Sequence, residues 1–199
     1  MLRGLMVVTA VVAVAMLAAC GGDDDEETTA VTAPAGASGV EGAACAAPEK
    51  VEGLTSEHVR RDLTAADYET NPPAGGDHVD DTLETGTFYP DPQPLGPAVH
   101  NLEHGAVIGW TNGLSSEDRT AVEDAFNEVF REGYTSLLTV ENPDMDVPFA
   151  LTAWGHLQTC ESVDTEIIRP FVEDNYGSGP EGLLACGGKA RRLPPCQRR

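Results

Sequence analysis

The stretch LSSEDRTAVEDAFNEVFREG, residues 114–133, constrains the fold more than any other. Ser115 or Ser116 can cap a helix, and Glu117 and Asp118 favour its first turn. Val122, Ala125, Phe126, Val129 and Phe130 line one face, and Gly133 stops it. A helix with one apolar face must lie on something apolar. Candidates flank it on both sides. AVIGW (106–110) and SLLTV (136–140) read as buried strands, and PFALTAWG (148–155) reads as a third. VDTEIIRPFVEDNYG (163–177) reads as a second helix, bent or split by Pro170. This order predicts an α+β fold, a small mixed β-sheet covered by helices in an α/β sandwich.

The N-terminal half of the domain is irregular and loop-rich. Ser56 can cap a helical turn in which Val59 and Leu63 share a face. The run Asn71-Pro72-Pro73-Ala74-Gly75-Gly76-Asp77-His78 then breaks regular structure. Pro90, Pro92, Pro94 and Pro97 imply a stiff, extended connection up to a short helix. Pro97 suits that helix's first turn and Gly105 its end.

The ends have different compositions. Residues 1–19 carry Arg3 and an apolar run shorter than a membrane span, the pattern of an export signal. Leu17-Ala18-Ala19-Cys20 resembles a bacterial lipobox, which implies cleavage before Cys20 and its lipidation. Residues 20–44 are acidic, small and without aromatic residues, and read as a disordered tether. Residues 45–199 remain as one domain with a basic tail. The expected location is therefore the cell membrane, lipid-anchored and facing away from the cytoplasm. The chain has a formal net charge of −21, which excludes nucleic acid as a natural partner.

Besides Cys20, the chain has Cys45, Cys160, Cys186 and Cys196. In an exported domain these suggest two disulfides with three connectivities. The pairing that ties the domain's ends together is Cys45–Cys196 with Cys160–Cys186. No CxxC pair supports a thioredoxin-type centre.

The densest chemistry is PAVHNLEHG, where His100, Glu103 and His104 fall within one helical turn. Positions i and i+4 share a helix face, so His100 and His104 can address one ion. Glu103 can act as a ligand or fix an imidazole tautomer. His78, in the glycine-rich loop, is the best further ligand. The string also matches the inverted zinc-peptidase motif, but a helix of about two turns is shorter than such enzymes use. His156, at a strand end, reads mainly as a structural residue.

Several motifs in order, NPPAGGDH, GTFYPDPQPLGPAVHNLEHGAVIGW, PFALTAWGHL and GPE, resemble the domain-of-unknown-function 3105 family. The resemblance spans roughly residues 57–181. It implies an exported or membrane-anchored domain whose shared site carries over onto His78, His100, Glu103 and His104. More loosely, it carries over onto His58, Tyr68, Tyr89 and Trp154. It implies no settled activity.

Three readings follow. In the first, the domain binds copper or zinc through His78, His100 and His104, with Glu103 assisting and His58 completing the shell. In the second, it is a zinc-dependent hydrolase with Glu103 as general base. In the third, it is a surface binding module with structural histidines.

Overall fold

The structure is a computed structural model and describes residues 44–182. Its sheet has six strands: β1 (Glu49–Lys50), β2 (Phe88–Pro92), β3 (Val107–Thr111), β4 (Leu137–Glu141), β5 (Phe149–Ala153) and β6 (His156–Cys160). Their spatial order is β1-β6-β5-β3-β4-β2. Strand β4 runs parallel to both β3 and β2, whereas the β3–β5, β5–β6 and β1–β6 pairs are antiparallel. The helices are α1 (Leu95–Glu103), α2 (Ser116–Arg131) and α3 (Ile168–Asn175). This is the expected α+β fold with a mixed sheet.

Alternation along the strands builds two cores. Val107, Leu137, Phe149, Leu151 and Ala153 face α2 and α3, meeting Val122, Phe126, Val129, Phe171 and Val172. Ile108, Trp110, Leu138, Val140 and Ala150 face the other way, against Ala98 and Leu102 of α1 and against Ala74. Both faces of the sheet are therefore covered, which is why its central strands read as unbroken apolar runs. The candidate site lies on the α1 side.

Helix α2 begins as its sequence dictates: the Ser115 hydroxyl accepts the Asp118 amide at 3.1 Å. The second expected helix divides into a 3-10 turn (Thr165–Ile167) and α3. Pro170 sits in the first turn of α3, where its missing N–H breaks no helical bond. Helix α2 needs close approach to β3, and Gly109 supplies it. A Cβ there would lie 2.7 Å from Cζ of Phe126. Gly109→Ala should therefore cost about 1–3 kcal/mol by overpacking. Equal stability of the variant in a thermal melt would contradict this packing.

Four expectations are corrected. Residues around Ser56 form no helix; His58 makes a parallel bridge to His78 instead. The Val59 amide donates to the His78 carbonyl and the His78 amide to the Glu57 carbonyl. These long-range bonds satisfy the backbone groups that a helical turn would have used. The proline-rich connection contains β2, an edge strand bonded only to β4. An edge is where a strand tolerates Pro90 and Pro92. The segment after Trp154 continues as β6, turning through Trp154 and Gly155, the latter at φ 73°.

The disulfide joins Cys45 to Cys160, not to Cys196, so Cys160 is not free for Cys186. The bridge Cys45↔Cys160 beside β1 and β6 brings these two residues opposite one another. Cys186 and Cys196 lie outside the described residues, as do the expected signal, Cys20 and nearly all of the tether. No helix among the described residues is long and apolar enough to cross a membrane.

Candidate metal centre

Three chain segments, one of them α1 itself, meet around the C-terminal half of that helix. The first carries His58 and His78. Their bridge fixes both backbones, and the Glu57 amide adds a bond to Asp77 Oδ1 at 3.2 Å. Gly75 and Gly76 precede His78 at φ 140° and 128°, a region that favours glycine. A Cβ on Gly75 would come within 2.7 Å of Leu54 and 3.2 Å of the Trp154 ring. The same Trp154 ring stands edge-on to His78, with centroids 6.3 Å apart.

The second segment is α1 with the loop before it. The Asn101 side chain clasps that loop, accepting the Leu83 amide at 2.8 Å and donating to the Leu83 carbonyl at 3.0 Å. The clasp presents the Asp81 carbonyl to His100. His100 and Glu103 lie on the buried side of α1, and His104 caps its C-terminus. The negative end of the helix dipole favours a cation there.

The third segment is the return after α3. The Gly177 amide donates to the Gly105 carbonyl at 2.8 Å, and the Glu181 amide to the Glu103 carbonyl at 3.3 Å. Gly105 sits at φ 80°, and a Cβ on it would lie 2.6 Å from Gly177 Cα. This approach brings the Glu181 carboxylate within 3.7 Å of His104 Nδ1.

The result is a group of His58, His78, His100 and Glu103 whose ligand atoms all lie within 4.8 Å of one another. Side-chain exposure is 0% for His78, 9% for His100, 3% for Glu103 and 38% for His58. His58 is thus the most exposed member of the cluster, at its rim. Its ring centroid is 4.5 Å from that of His78 and 5.0 Å from that of His100.

Hydrogen bonding fixes the tautomers. A carbonyl can only accept, so His78 Nδ1 donates to Gly76 at 2.9 Å and His100 Nδ1 to Asp81 at 3.1 Å. In neutral rings, both Nε2 atoms then carry lone pairs. His78 Nε2 lies 2.9 Å from Glu103 Oε2, and His100 Nε2 lies 3.0 Å from His104 Nε2. A lone pair facing a carboxylate needs a proton or a cation between them. Backbone carbonyls that hold Nδ1–H and aim Nε2 inward are the usual outer support of metal-bound histidines.

Burial pushes the His100 imidazole below its ordinary value, reinforced by the neighbouring rings of His78, His104 and His58 and opposed by the Asp81 carbonyl. The native state thus resists a proton that the unfolded chain accepts. Stability from this group is complete above the unfolded value of about 6.5 and is lost as pH falls through the lower native value. Chelator-treated protein should therefore melt at lower temperature as pH drops from about 7 to 5, and less steeply after His100→Gln. Identical slopes for the two proteins would contradict the assignment.

Of the residues that the sequence marks as ligands, His58, His78, His100 and Glu103 fall in one group, whereas His104 falls in a second with Glu103 and Glu181. Trp154 walls the cluster beside His78. Tyr68 packs against Gly76 with its hydroxyl buried and without a hydrogen-bond partner among the described residues, and burial pushes that phenol upward. Tyr89 instead serves the loop, accepting the Glu84 amide at 2.9 Å. His156 bonds the Trp154 carbonyl and stays outside the group. Asn101, which clasps the loop before α1, and Glu181, beside His104, are functional neighbours with no local sequence signal of their own, since each acts on a partner distant in the chain.

The chain thus forms a mixed-sheet α+β domain holding a His/Glu group spaced to hold a metal ion. It belongs to the family described as "Protein of unknown function (DUF3105)", whose model matches residues 58–188. The match contains every member of the cluster, from His58 to Glu181. No curated protein and no solved structure matches the chain.

Proposed function

We propose that this protein is a lipid-anchored, extracytoplasmic domain that binds a divalent transition metal, copper or zinc, through His78, His100, Glu103 and His58. One observation carries the metal reading: two imidazoles have Nδ1 committed to backbone carbonyls while their Nε2 atoms face Glu103 and His104 at 2.9 and 3.0 Å. Neutral imidazole with carboxylate suits both ions, and copper(II) generally binds such donors more tightly than zinc. The lipobox-like Leu17-Ala18-Ala19-Cys20 and the acidic tether support the anchored location.

Glu103 suits a ligand better than a general base. Its side chain is 3% exposed and one oxygen already engages His78. A base must instead reach a water in an open position.

The test is a melt of chelator-stripped protein with added Cu2+ or Zn2+. An ion at about 100 times its dissociation constant stabilises by about 2.7 kcal/mol. For a domain of this size that raises the melting temperature by roughly 5–15 °C. Absence of any shift with copper, zinc or nickel would remove the reading.

A further inference from the structure

The cluster just assigned leaves His104 over. It forms a second group with Glu103 and Glu181, whose ligand atoms also lie within 4.8 Å of one another. Without metal, His104 has one good partner: its Nε2–H can donate to the lone pair of His100 Nε2 at 3.0 Å. An ion on His100 takes that lone pair away. His104 then loses its acceptor, while Glu181 Oε2 waits 3.7 Å from its other nitrogen.

The geometry points to a second metal site formed by Glu103, His104 and Glu181, adjoining the first and sharing Glu103 as a bridging carboxylate. This rests on the metal-binding reading above. Glu103 has two carboxylate oxygens, and Oε2 serves the His78 and His100 side, 2.9 and 4.0 Å from their Nε2 atoms. Paired sites of this kind hold their ions about 3.5–4 Å apart. The second site has one imidazole and two carboxylates, a harder donor set that takes a divalent ion such as zinc. It is also the more open, since the Glu181 side chain is 52% exposed. Its ion should bind more weakly and exchange faster than the first. The glycine contacts that fold residues 177–181 back onto α1 are what complete it. A Cβ on Gly179 would lie 2.0 Å from the Glu103 carbonyl oxygen.

Equilibrium dialysis of the full chain against Zn2+, followed by elemental analysis, tests this. Wild-type protein should hold two ions, and Glu181→Gln should hold one, with an unchanged metal-free melt because that side chain is largely exposed. One ion in both proteins, or two in both, overturns the second site while leaving the first standing. No ion in wild type overturns both. Titration with Cu2+ gives an independent readout. The first equivalent should give a full single-ion electron paramagnetic resonance signal, and the second should diminish it through coupling across Glu103. A signal that doubles would overturn the shared carboxylate.

Discussion

Replacement of His78 by Ala should abolish the metal-dependent rise in melting temperature. His78 is fully buried, is fixed by its bridge to His58, and aims Nε2 at Glu103. Losing an outer partner of a metal ligand typically costs about 10–100-fold in affinity, so losing this ring should cost more. The variant should also destabilise the metal-free protein. It strands the Glu103 carboxylate and leaves the Gly76 carbonyl without its donor. A buried group left unpaired costs about 1–3 kcal/mol, and more if charged. Glu103→Gln separates these two effects. A Gln amide can donate to the His78 lone pair, so the metal-free fold should hold its stability while metal binding falls. His58→Ala, at the exposed rim, should weaken binding least. Undiminished metal stabilisation in His78→Ala, or equal losses at all three positions, would contradict this hierarchy.

The Cys45→Ser, Cys160→Ser double variant should lose about 2–5 kcal/mol of stability. The bridge spans a sequence separation of 115 residues, so reduction returns a long closed loop to the unfolded chain's freedom. At this size the melting temperature should fall by roughly 5–20 °C. The disulfide packs with the core facing α2 and α3, whereas the His/Glu group lies on the α1 side. Distant sites add independently, so metal affinity should be unchanged. Calorimetry with and without reductant, paired with a metal titration, measures both. A melting temperature insensitive to the substitutions would contradict the constraint, and a parallel loss of metal affinity would contradict the separation.

The legible parts of this fold were those whose signals are local. Ser115, the acidic first turn and the Val122–Phe126–Val129 spacing specify α2 without help from elsewhere. The apolar runs of β3, β4 and β5 reflect burial on both faces. The placement of His100 and Glu103 within one turn of α1, and the glycines before His78, pointed to the cluster because helix pitch and glycine's freedom are local properties too. His104, expected to share an ion with His100, instead falls in a separate group with Glu103 and Glu181. What stayed hidden depends on distant partners. Strand β2 exists because β4 offers an edge that tolerates Pro90 and Pro92. His58 is extended because His78 accepts its neighbour's amide. Cys45 meets Cys160 because β1 lies along β6, a register that cysteine spacing cannot encode. Glu181 reaches His104 only because Gly105 and Gly177 let two backbones touch.

The most direct test of the central claim is anomalous diffraction from crystals of the protein soaked in Cu2+ or Zn2+, recorded at the metal's absorption edge. The account predicts a strong peak about 2.0–2.2 Å from Nε2 of both His78 and His100 and from a Glu103 oxygen. A map with no peak there, while the crystal carries the ion at other positions, would contradict it.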